Sequence, residues 1–160
     1  FTASRAEKKV RDRLEELGVE CFLPVQTVLR QWTYRKSRVV VPVIAGLVFV
    51  RVGRQEQVKV LQTKGVVAFL RLKGEAGAAV IPDKQMEDFR FLLDFSEEAV
   101  EMTNENIKAG DLVRVVKGSL RGMEGELIRH KGVTKVLVRI DMLGCAMVNI
   151  PASFVEKLNK

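Results

Sequence analysis

The chain has 160 residues, 47% of them hydrophobic and 29% charged, with a formal net charge of +7. That is ordinary for a globular protein of one domain or two small ones. It holds no stretch suited to a signal peptide or membrane span, so cytoplasmic residence and no membrane partner are expected.

Cys21 and Cys145 stand too far apart for metal spacing or a secreted disulfide framework, and both lie in apolar surroundings suited to buried thiols. The single histidine, His130, has no acid–nucleophile arrangement near it and reads as a surface or strand-end residue. No paired carboxylates beside a histidine, Gly-x-Ser-x-Gly or phosphate-loop pattern is present, so neither catalysis nor a cofactor is expected. The chain opens on Phe1 without a methionine, and upstream residues are expected to be missing.

In chain order, Ser4-Arg-Ala-Glu7 fits a capping box, followed by Ala6, Val10, Leu14 and Leu17 at helical spacing and then Gly18. This predicts a helix over 5–17. Residues 19–29 read as a strand kinked at Pro24, leading through a basic tip (Arg30 to Arg38) into the most apolar run of the chain, Val39 to Val52. Seven of those fourteen residues are valine, which suits a strand covered on both faces, interrupted at Pro42 and Gly46 and firmest over 47–52. The run is too short for a helical membrane crossing, which needs about 20 apolar residues. A short helix is predicted over 54–63 with Val58 and Leu61 inward, then a strand over 66–72 and a loop over 73–79. A second helix is predicted over 83–95, with Met86, Phe89, Leu92 and Leu93 on one face.

Residues 96–108 are acidic and sparsely apolar and read as a linker. Beyond it, short strands at 112–117, 125–131, 135–142 and 145–150, with a tail at 154–158, predict a small barrel. The expected organisation is thus an α+β domain at 1–95, with helices on a mostly antiparallel sheet, a linker, and a small all-β domain at 109–160.

Charge is focused. Residues 28–73 carry ten Lys/Arg against one acid, whereas residues 74–101 carry two against eight. Such asymmetry predicts an electrostatic footprint for a polyanion. Within the tip, Arg30, Arg35, Lys36 and Arg38 would neutralise phosphates while Trp32 and Tyr34 stack on exposed bases. A solvated hairpin tip, with Trp32 packed on the sheet, is the competing reading.

The segment Ala109-Gly-Asp-Leu-Val-Arg-Val-Val-Lys-Gly-Ser-Leu-Arg-Gly-Met-Glu-Gly-Glu-Leu-Ile128 resembles a KOW motif. Its Gly118 and Gly122 bound a tight loop, and Gly125 lets one strand pass close to another. The order of a charged helix, Phe22-Leu-Pro24, a basic hairpin and Pro42-Val-Ile-Ala-Gly-Leu-Val-Phe-Val50 resembles the N-terminal domain of NusG-like factors. Gly65-Val-Val-Ala-Phe-Leu70 and Ile81-Pro-Asp-Lys-Gln-Met86 match further landmarks in the same order. Short length and Glu20-Cys-Phe-Leu-Pro24 look closest to the operon-dedicated, UpxY-like branch. Ala45-Gly46-Leu47 stands where the family often has Pro-Gly-Tyr, and the first family strand, before Ser4, is mostly absent.

The resemblance implies a factor that binds the clamp of RNA polymerase, contacts DNA or nascent RNA in the elongation complex and suppresses pausing or termination. It places the polymerase contact at Leu47, Phe49, Val67 and Phe69, for which plain sheet core is the competing reading. It implies an SH3-like KOW barrel whose loop (Lys117, Gly118, Ser119, Arg121, Gly122) meets a second protein partner, although turn chemistry alone accounts for the glycines. A ribosome-associated RNA-binding protein using the KOW barrel is the alternative. Against it, residues 101–160 hold only ten Lys/Arg against seven acids.

Overall fold

The computed structural model describes residues 1–31, 33–71, 74 and 77–158, with Arg30 described by its backbone only. The chain is α+β, with helices and antiparallel sheets, and it divides into two compact units, Phe1–Val80 and Ile81–Lys160.

In the first unit, α1 (Glu7–Glu16) places Val10 and Leu14 in a core with Val19 and Val60, and Ala6, Val48, Val50, Val52 and Phe69 pack around it. The predicted Ser4–Glu7 capping box does not form. Arg5 takes a left-handed φ of 59°, Ala6 becomes the N-cap, and Glu7 turns inward to accept the Gly46 N–H at 3.4 Å. The other end follows expectation. Gly18 N–H donates to Glu15 O and Val19 N–H to Leu14 O, each at 3.0 Å, the paired bonds that close a helix through a left-handed glycine.

Strand β1 (Glu20–Phe22) and β2 (Val25–Gln31) flank the predicted break at Pro24. β2 pairs with β3 (Lys36–Pro42), and β1 pairs with β4 (Phe49–Arg51), as two separate two-stranded sheets. The apolar run is therefore two strands separated by a turn at Gly46, and the 47–52 strand shortens to three residues. Nor is it covered on both faces, since Val40 is exposed.

Helix α2 (Arg54–Leu61) begins with the Glu56 carboxylate reaching back to the Gly53 N–H at 3.4 Å. Its inward residue is Val60; Val58 and Leu61, predicted inward, are exposed. The described part of 66–72 makes no strand. Val66 N–H turns back to Thr63 O, and 65–68 instead bond residues 1–3: Ala3 N–H to Gly65 O and Val67 N–H to Phe1 O, both 2.8 Å.

In the second unit, α3 (Asp83–Phe95) matches its predicted span and buries Phe89 and Leu92 completely. It packs against β8 (Val133–Ile140), where Gln85 makes two bonds to Asp141: Nε2 donates to Oδ1 at 2.9 Å and Oε1 accepts the backbone N–H at 2.8 Å. The other strands are β5 (Glu101–Thr103), β6 (Asp111–Val115), β7 (Glu124–His130), β9 (Gly144–Asn149) and β10 (Val155–Lys157). They form one antiparallel sheet in the order β10-β6-β7-β8-β9-β5. Gly125 does allow close passage, but of β8: a Cβ there would lie 2.9 Å from Leu137 O. Composition places the boundary at 96–108, whereas the compact units divide after Val80 and the 96–108 segment supplies β5, paired along β9.

β5 is held further by Glu101, whose Oε2 accepts a 2.6 Å bond from Lys135 Nζ. That bond holds the Glu101 carboxyl below the usual 4.5, against the opposing effect of desolvation and with help from the charges of Lys135, His130 and Lys131. A carboxylate pKa depressed by folding adds stability above the unfolded value, and this is lost as pH falls through the folded one. Urea midpoints of wild type and Glu101→Gln should therefore differ at neutral pH and converge in acid. A gap of constant size across that range would show that the ion pair contributes nothing.

Candidate functional site

The hairpin of β2 and β3 carries the cationic tip predicted from sequence. Its register, Gln31↔Lys36, Leu29↔Arg38 and Thr27↔Val40, puts these six side chains on one face, because directly opposed residues in an antiparallel pair share a face. All six are exposed. Tyr34 and Arg35 lie in the turn between the strands, and Tyr34 is 98% exposed. Arg30 is opposite Ser37, so its backbone position belongs to the other face. Trp32 lies outside the described residues. No acid occurs between residues 21 and 55, so the four cations of the ribbon, all within 30–38, face no opposing charge in its own sequence.

Sequence reasoning missed two features of the ribbon. Lys8 of α1 reaches its flank and donates from Nζ to Val40 O at 3.1 Å. Leu29 and Val40 form an exposed apolar strip beside the cations, at 64% and 45% exposure. The strip was available from period-2 alternation; the lysine, 32 residues away, had no local signal.

The four apolar candidates do not share one patch. Leu47 is buried, at 5% exposure. Phe49 is half-buried and stacks on Phe22, with ring centroids 6.2 Å apart, while Val48 and Val50 pack on the α1 core as alternation requires. Phe69 packs on that same α1 core, and Val67 is 65% exposed.

In the second unit, Lys117, Gly118, Ser119, Arg121 and Gly122 are all exposed, and they come together as the β6–β7 loop. The loop is held by buried Leu120 and Met123, by Gly122 N–H donating to Val115 O at 2.8 Å, and by the Phe154 ring beside Gly118. The segment before β6 is held by Glu126, which takes two bonds from the Arg139 guanidinium (2.6 and 3.2 Å) and one from Gly110 N–H (3.1 Å). Arg139 also donates to Ile107 O at 2.7 Å, and its bonds to Glu126 push the guanidinium pKa further up.

Among the described residues, no cluster of three or more His, Cys, Asp or Glu could hold a metal ion. Burial pushes both thiols up, Cys21 with help from Glu15, away from the reactive thiolate. His130, at the end of β7, sets Nε2 3.2 Å from Glu105. Cations beside the groove between α1 and α2 are engaged with carbonyls, Arg13 on Lys64 O and Lys59 on Leu17 O.

The family model described as transcription termination factor nusG matches residues 1–90. The chain belongs to the NusG family. The match spans the whole first unit, cationic ribbon included, and runs into α3. No curated protein matches the chain. Among solved structures it is similar to Thermotoga maritima NusG, in a structure concerned with domain interaction, at 22% identity and a TM-score of 0.49, covering 99% of this chain and 94% of that one. It is also similar to an MjSpt4:Spt5 complex in conformation B, at 18% identity and a TM-score of 0.23, with the same coverages. Assignment to the NusG family rests on the match over 1–90. No described helix is long and apolar enough to cross a membrane.

Proposed function

We propose that this protein is a cytoplasmic regulator of transcription elongation that binds the clamp of RNA polymerase through its first unit and suppresses pausing or termination. The observation that carries the reading is the NusG family match over a unit that also projects a cationic, aromatic-tipped ribbon. Of the four apolar candidates, half-buried Phe49 and exposed Val67 are the residues proposed to meet polymerase; Leu47, which is buried, and Phe69, which packs on the α1 core, are left to support the fold. Arg30, Trp32, Tyr34, Arg35, Lys36 and Arg38 contact DNA or nascent RNA in the elongation complex. The second unit is a KOW barrel whose exposed 117–122 loop takes a further protein partner. Dedication to particular operons, in the manner of the UpxY-like branch, is supported by the resemblance of Glu20-Cys-Phe-Leu-Pro24.

The test is affinity capture from a cell extract, followed by transcription through a terminator. Capture of RNA polymerase and increased read-through support the reading. Capture of ribosomes without polymerase replaces it with a ribosome-associated RNA-binding role. For the tip, Arg35, Lys36 and Arg38 replaced together by alanine should lower affinity for duplex DNA and reduce the log–log salt slope by roughly 0.9 per lost phosphate contact. Unchanged affinity and slope on both single- and double-stranded DNA would leave the tip a solvated turn.

A further inference from the structure

The register of the β2–β3 ribbon fixes which backbone groups point outward. Val43 N–H donates to Pro24 O at 2.9 Å, in line with the pairing of Val25 to Pro42. Bonded and non-bonded pairs alternate in an antiparallel ladder, so 26↔41, 28↔39 and 30↔37 exchange bonds, and 25↔42, 27↔40, 29↔38 and 31↔36 do not. Lys8 agrees, taking the Val40 carbonyl from outside. The N–H and C=O groups of Val25, Thr27, Leu29 and Gln31 therefore point away from β3, and no described strand pairs with that edge.

The two edges differ. β3 ends in Pro42 and has Lys8 on its flank, both devices that discourage strand addition. β2 has neither: it runs seven residues without proline, with Thr27 and Leu29 exposed. From this asymmetry we infer that the outer edge of β2 receives an extended strand from an acidic partner protein, its residues alternating apolar and acidic. The edge offers donors and acceptors in alternation, repeating every two residues, and a polypeptide backbone answers both. A phosphate backbone answers only the donors. Leu29 lies on the edge strand itself, and Val40, Lys36 and Arg38 stand on the same face one strand further in, a surface matched by apolar and long acidic side chains of the incoming strand. A second copy of this chain is a poor occupant, because residues 25–42 carry four cations and no acid, and two such ribbons repel. The inference goes beyond polymerase binding, and because Lys36 and Arg38 are also proposed phosphate contacts, nucleic acid and the acidic strand would compete for them.

The probe is a synthetic heptapeptide alternating valine and glutamate, titrated onto the full chain by fluorescence anisotropy and amide hydrogen exchange. Saturable binding should protect the Thr27 and Leu29 amides. It should weaken about tenfold or more in Thr27→Pro, which removes an outward N–H and leaves the β2–β3 ladder bonds in place, as edge strands allow. Retained protection at Val28 and Val39 reports that the ribbon still folds. An alternately N-methylated heptapeptide should likewise fail on the unaltered protein, independently of any folding defect. The inference is overturned if the N-methylated peptide, or a valine–lysine peptide, binds as well as the original. It is overturned too if Thr27 and Leu29 become protected by duplex DNA, or by self-association at rising protein concentration.

Discussion

Replacing Gly144 by alanine should detach β5 from the sheet of the second unit and cost about 3 kcal/mol or more. Two effects add. Gly144 sits at φ 101°, where an L side chain is strained, and its Cβ would fall inside the contact distance of Thr103 O and 2.9 Å from Asn104 Cα. Both obstacles are backbone, so no side-chain rotation relieves them, and the residue pairs at the end of β9 where β5 attaches, Thr103↔Cys145. Melting followed by circular dichroism should show the second unit's transition falling by about 10 °C or more. Hydrogen exchange at Met102 and Thr103 should rise first. Gly122→Ala is the control: it has a similar φ of 95° but open space around it, so only the strain term applies, about 1 kcal/mol. Equal melting temperatures for the two variants would mean that the close approach of 103–104 to β9 does not matter.

Polymerase capture should fall about tenfold or more in Val67→Ser while the melting temperature stays near wild type. Val67 is 65% exposed, and substitutions at such positions usually change stability by no more than about 0.5 kcal/mol. Phe49→Ser should lose both capture and stability, because a half-buried ring stacked on Phe22 is removed, at about 2–3 kcal/mol. Phe49→Leu separates the two losses: it keeps apolar bulk under the sheet but not the ring. If Val67→Ser and Phe49→Leu both capture polymerase normally and melt normally, the docking surface lies elsewhere on the molecule.

How much of this was legible in the sequence depended on whether a decision was local. The span of α3 was, because Phe89, Leu92 and Leu93 recur at one helical period with Asp83 in the first turn. The existence of β7, β8 and β9 was, because turn residues bracket each apolar run. In α2, Val58, Val60 and Leu61 crowd into eight residues, so periodicity could not choose among them; Val10 and Leu14 of α1, far off in sequence, selected Val60. The apolar run after Gly65 looked like a strand, yet a strand needs a partner along its length, and among the described residues 65–68 pair only with the short 1–3 segment while Leu70 O accepts from Ala79 N–H. At the candidate site, exposure of Tyr34, Arg35, Lys36 and Arg38 was readable from their chemistry. Burial of Leu47 was not, since an apolar residue after a turn is equally suited to core or surface until the rest of the fold is placed.

The bonds joining Arg139, Glu126, Gly110 and Ile107 have an evolutionary consequence. Glu126 is largely enclosed, with its side chain at 15% exposure, and its carboxylate is shared between a guanidinium and a backbone N–H. Removing the arginine leaves that enclosed charge with only the Gly110 N–H, whereas the arginine, its side chain 37% exposed and bonded also to Ile107 O, can reach water without the glutamate, so losing the arginine first is expected to be worse than exchanging both for apolar residues of similar size. Drift at these two positions is therefore gated: a lineage that changes the arginine first must cross a less fit intermediate before the second change repairs it. The pair should be inherited together or replaced together, and the backbone segment running into β6 should keep its path only in lineages that retain both.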